Sequence, residues 1–100
     1  MVIIVSEIVD SCDTNQQGEV LKNLLSDRLL SSKITTLDFT GVLFVTSSFV
    51  NTAFADLLSE FSFDNIKKYV KFSGTNRQIS GLIRDRMVKT NNANTKMVAV

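Results

Sequence analysis

Three hydroxyl residues stand in a row, Thr46, Ser47 and Ser48, between the apolar runs LDFTGVLFV and FVNTAF. Side chains of this type in this place can do two kinds of chemistry. A hydroxyl just before a helix accepts a backbone N–H from the first turn. A hydroxyl beside the positive end of a helix can also carry a phosphate, or help to hold one. Capping accounts for one of the three. No Glu or Gln lies three residues after any of them, so there is no capping box. No acid stands in the turn that follows, which leaves the helix end without an anionic side chain of its own. Thr46, Ser47 and Ser48 are therefore the candidate partner-binding or anion-binding residues.

Other reactive groups are scarce. The chain has no histidine and one cysteine, Cys12. That rules out a histidine-dependent triad, a Cys–His pair and an intrachain disulfide. It also rules out a zinc site of the Cys/His kind. Cys12 lies in the polar stretch DSCDTNQQG and reads as an ordinary loop thiol. Acid–base work would fall to carboxylates or lysines. Asp38 is notable, because it ends a strand in apolar surroundings. An aspartate there bonds the N–H groups of the next loop, which makes Asp38 a loop-bracing residue. The expectation is a protein that is not an enzyme, with no cofactor and no metal.

Basic residues gather loosely in the last third. Arg77 and Arg84 fall near one azimuth of a helix and, with Lys71, would form a nucleic-acid interface. Against that reading, the net charge is only +1, and no aromatic residues interleave with these cations to stack bases.

These groups need a scaffold of one domain, which is all that 100 residues allow. VIIV at residues 2–5 reads as a buried strand. Val20, Leu21, Leu24, Leu25 and Leu29 lie within one half of a helix that runs from about Glu19 to Leu30. Asp13, Thr14 or Asn15 could cap it. ITTLDF at 34–39 reads as the second strand, and Gly41 breaks it. A second helix, from Ser48 to Phe61, carries a wide apolar stripe. KYVKFS at 68–73 reads as a third strand near a sheet edge, since it holds two lysines. SGTN is a turn with helix caps. Ile79, Leu82, Ile83 and Met87 mark a third helix, followed by a polar linker at 91–95. MVAV, the last four residues, is either a fourth, edge strand or a frayed end; the whole of 91–100 could be a flexible tail. Strands that alternate with helices imply a mainly parallel sheet. The start, MVIIVSEIVDS, has no basic leader, and no apolar run approaches the ~20 residues of a membrane span. The expected location is the cytoplasm, with no membrane partner.

The central stretch resembles STAS domains, which are found in sulfate transporters and anti-sigma-factor antagonists. Those domains carry a strand ending in Asp-Leu-Ser, a short apolar run, then Asp-Ser-Ser/Thr-Gly-Leu opening a helix. Asp38, Phe39 and Thr40 are similar to the first part. Phe44 and Val45 are similar to the apolar pair, and Ser47 and Ser48 to the hydroxyls. Thr46 and Phe49 stand where the antagonists have Asp and Gly. A nearer resemblance is to bacterial STAS-like domains of unknown function, in Ser47, Ser48, Phe49, Ala53, Phe54 and Leu57 and in GTN at 74–76. It extends from Ile34 to about Val88. It implies a small α/β fold with a mainly parallel four-stranded sheet and helices packed on it. By analogy with the antagonists it implies a phosphoacceptor at Ser47. It also implies a regulatory module whose partner is a histidine-kinase-type ATPase or another switch protein. The alternatives are a nucleic-acid-binding regulator, or a structural subunit or homodimer formed through a sheet edge.

Overall fold

The computed structural model describes residues 1–98, with side chains to Ala93. Three short strands form one sheet in the order β1-β2-β3: β1 is Val2–Ile4, β2 Thr35–Asp38 and β3 Val70–Ser73. Both pairings are parallel, with Ile3 opposite Leu37 and Leu37 opposite Phe72. The sheet has three strands among the described residues, one fewer than the sequence suggests. Met97 and Val98 continue the last helix, and the remainder of MVAV lies outside the described residues.

The helices are α1 (Val5–Ile8, a single turn), α2 (Asn15–Leu30), α3 (Ser47–Ala53), α4 (Phe63–Tyr69) and α5 (Arg77–Val98). Thr14 caps α2 in a capping box with Gln17. At the far end of α2, Ser32 adopts φ 53°. Its N–H bonds the Leu29 carbonyl at 3.0 Å and the Lys33 N–H bonds that of Arg28 at 3.1 Å, the pattern of a Schellman stop. Arg28 then reaches forward, with Nε on the Thr35 hydroxyl at 2.8 Å and Nη2 on the Ile34 carbonyl at 3.1 Å. This pairing satisfies Thr35, the one buried polar residue among the described residues.

Burial alternates along the strands. Ile3, Thr35, Leu37 and Val70 point into the helical layer, while Val2, Ile4, Lys71 and Ser73 lie on an exposed face. Helices therefore cover one face of the sheet. Parallel sheets are more often covered on both. Within the covered layer α2 packs most extensively on α3, and Gly18 makes the approach possible. A Cβ there would meet the Phe49 carbonyl oxygen at 2.7 Å. The core centres on Phe39, Phe49, Phe54, Leu21, Leu25, Leu37, Leu57 and Ile79.

Two elements depart from the sequence reading. The helix expected from Ser48 to Phe61 breaks at Phe54 and continues as a 3-10 turn over Ala55–Ser59. Ala53, Phe54 and Ala55 are all buried. Three consecutive positions span ~200° of a straight helix, too wide an arc for one packed face, and the break turns all three inward. The second departure is α4, which takes up Lys68 and Tyr69 and shortens the third strand to Val70–Ser73. Its signal is weak because only Phe63, Ile66 and Tyr69 mark it. Ser62 caps it, accepting the Asn65 N–H at 3.2 Å. The polar stretch 91–95, read as a linker, is helical backbone within α5.

Candidate functional site

In a parallel sheet all the carboxyl ends lie at one edge, where loops meet and ligands commonly bind. Here that edge gathers the turn after β2, the loop 41–46, the start of α3 and the turn between β3 and α5. Asp38 organises the first of these. Its Oδ1 accepts the Thr40 hydroxyl at 2.6 Å and the Thr40 N–H at 2.9 Å. Those bonds, the hydroxyl first, hold its carboxyl below the usual carboxylate range, although burial pushes the other way. Gly74 packs directly on this turn at φ 65°.

The loop after Gly41 has no regular structure, yet it is pinned from two sides. Gln78 clamps Val45: its Oε1 accepts the Val45 N–H at 2.9 Å and its Nε2 donates to the Val45 carbonyl at 2.8 Å. Asn76 does two jobs. Its Oδ1 accepts the Ile79 N–H at 2.9 Å, capping α5, and its Nδ2 donates to the Leu43 carbonyl at 2.8 Å. On the other side, the Thr46 N–H donates to the Cys12 carbonyl at 3.1 Å. The Thr46 hydroxyl donates to the Asp13 carbonyl at 2.9 Å.

The three hydroxyls thus divide. Thr46 is the helix cap, accepting the Phe49 N–H at 3.3 Å, and all its bonds are spent on structure. Ser47 and Ser48 are exposed in the first turn of α3, which holds no acid. Phe49 is fully buried, so its bulk does not stand over Ser47. The pinned loop that leads to these serines holds out two apolar side chains, Leu43 at 81% exposure and Phe44 at 57%. The sequence reading missed both, because an apolar run beside a strand reads as buried. It also missed Gln78, whose partner lies 33 residues away.

The basic residues are not brought together here. Arg77 is exposed at the start of α5, and Arg84 borders a groove between α4 and α5. Lys71 stands on the open sheet face, its Nζ on the Lys67 carbonyl at 3.0 Å. Arg86 is occupied, with Nε on the Asn51 Oδ1 at 2.8 Å. No cluster of His, Cys, Asp and Glu that could hold a metal is found among the described residues.

Cys12 is buried despite its polar sequence neighbours. Burial first, and the Asp13 charge second, push its thiol from an ordinary 9.0 up to about 11. A raised thiol pKa stabilises the fold fully below pH 9, and that contribution is lost as pH rises through about 11. A protonated, enclosed thiol is a poor nucleophile. At pH 8 Cys12 is expected to resist a disulfide reagent in the native protein and to react at once in urea. Rapid labelling without denaturant would contradict this burial.

The family described as STAS-like domain of unknown function (DUF4325) matches residues 17–80. The chain belongs to this family. The match takes in α2 from Gln17, β2, the pinned loop, α3, α4, β3 and the first turn of α5, but neither β1 nor the Cys12–Asp13 segment that holds Thr46. No match is found among curated proteins or among solved structures. The STAS-like chain has no helix long and apolar enough to cross a membrane among its described residues.

Proposed function

We propose that this STAS-like domain is a non-catalytic regulatory module that binds a histidine-kinase-type ATPase or another switch protein through the loop leading into α3. The observation that carries the reading is the pairing of Leu43 and Phe44, both exposed, with the two serines that the cap leaves over. Aromatic side chains such as Phe44 are enriched in the buried centres of protein interfaces, and Leu43 extends the apolar area beside it. Bracing by Gln78, Asn76 and Thr46 lowers the cost of ordering the loop on binding. Ser47 is the proposed phosphoacceptor. It is exposed, and a phosphate there would meet the first-turn N–H groups of α3 and no acid. That would change the charge of the surface that Leu43 and Phe44 present, which is how a phospho-switch controls a partner.

The test mixes the protein with a purified candidate ATPase and ATP. Phe44→Asp should weaken binding by at least about tenfold, roughly 1.4 kcal/mol. Ser47→Ala should abolish phosphate incorporation and leave the unfolding midpoint unchanged. If binding and phosphate transfer both ignore substitutions at residues 43–48, the assignment fails.

A further inference from the structure

A second surface lies away from that loop, at the free edge of β3. We propose that this edge, with the groove between α4 and α5, takes an extended peptide of a partner protein in which apolar and acidic residues alternate.

The backbone supplies the first part of the argument. β3 ends the strand order, so among the described residues no strand pairs with its outer side. The Phe39 N–H donates to the Ser73 carbonyl at 2.9 Å, so Ser73 faces β2. In a parallel ladder alternate residues address opposite neighbours. The N–H and C=O of Phe72 therefore face outward, ready for another strand.

The side chains supply the second part. Phe72 shares the covered parity of the sheet yet is 42% exposed, and among the described residues no strand lies beyond it. Beside it runs a groove of about 580 Å³, floored by Phe54, Ile66, Phe72, Ile83 and Met87. Lys67 and Arg84 stand in its walls, and no acidic residue lines it. Neither cation is in an ion pair; the one ion pair among the described residues joins Lys89 and Asp85 at 3.2 Å. The Lys67 ammonium lies over the Phe63 ring, 5.3 Å from its centre. On the opposite parity Lys71 has only a backbone carbonyl as partner. A strand added here would send alternate side chains into the groove and the others alongside Lys71. Apolar residues suit the first set and carboxylates the second, with further carboxylates at the ends within reach of Lys67 and Arg84.

The experiment titrates the 15N-labelled full chain with a short synthetic peptide of alternating Val and Glu. The Phe72 amide should shift, and its hydrogen exchange should slow by at least about tenfold as it gains a backbone partner. Replacing each Glu by Lys, or the central Val-Glu pair by Pro-Pro, should weaken binding by at least about tenfold, the first through charge and the second through the ladder N–H that is lost in either strand orientation. A Lys67→Glu/Arg84→Glu protein should lose binding while remaining folded, with a small fall in midpoint because Lys67 also serves the last turn of α4 and the Phe63 ring. Should the double variant not fold, Lys67→Gln and Arg84→Gln singly keep the test. Ser47→Ala should bind the peptide as the parent does, which separates this site from the loop. No binding, equal binding of the Lys peptide, or indifference to proline would overturn the proposal. So would sedimentation showing that a second copy already covers the edge.

Discussion

Phe49→Ala should cost about 3–5 kcal/mol, the usual range when a fully buried aromatic ring is cut back to a methyl. Phe49 is fully buried and meets Phe54 edge-on, with ring centroids 6.4 Å apart. Its backbone carbonyl is also the surface on which Gly18 of α2 rests. A void at this point would loosen the α2–α3 contact as well as the ring cluster. Domains of this size are worth only about 5–15 kcal/mol in total, so the variant should sit near its unfolding threshold at room temperature. Urea denaturation followed by circular dichroism measures it. Phe49→Leu, which keeps most of the buried surface, should cost clearly less. Phe49→Gly removes the same ring and also the Cβ. It should be worse than Ala by about 0.5–1 kcal/mol, through the added backbone entropy. A small loss for Phe49→Ala would mean that the ring is not in the core.

Gly74→Ala should cost about 2–4 kcal/mol, the sum of a left-handed backbone penalty of ~1–2 and a steric one. At φ 65° a Cβ would come within 2.7 Å of the Thr40 amide nitrogen and within 2.6 Å of the Asp38 carboxylate. Backbone cannot yield as a flexible side chain can. The Asp38–Thr40 turn would have to open, and the loop that carries Leu43 and Phe44 would move with it. Gly41→Ala is the control. Gly41 has φ 88° but nothing within 4 Å of a built Cβ, so it should show the backbone penalty alone. The difference between the two urea midpoints isolates the contact with the turn. Equal losses would mean that Gly74 does not seat on Asp38. The turn also has a pH sense. Because the Asp38 pKa is held down in the fold, its contribution is present above the ordinary carboxylate range. It is lost as pH falls through the depressed value, at the opposite end of the pH scale from Cys12.

Asp38, Phe49 and Gln78 mark out how far the sequence could be read. Asp38 forms its bonds with Thr40, two residues on, and such local chemistry is visible in a short window. The apolar periodicity of 19–30 and 79–87 likewise located α2 and the start of α5, because burial of one helical face leaves a period of 3.6 in the chain itself. The α/β order and the parallel sheet followed from the alternation of elements. The STAS-like family was legible from the pattern around Ser47, Ser48, Phe49 and Ala53.

What only the tertiary structure decided depends on partners far apart in the chain. Gln78 clamps Val45 and Asn76 holds Leu43, each across 33 residues, and no local pattern announces either bond. For the same reason Leu43 and Phe44, apolar by type, are exposed by position. Cys12 looked exposed by its neighbours and is enclosed. Which hydroxyl capped α3 was also a tertiary matter: Thr46 is fixed by the backbone of Cys12 and Asp13, and that leaves Ser47 and Ser48 free. Composition and period record which residues prefer to leave water. Which side chains are denied that preference, and so remain on the surface, is set by where the loops are tied.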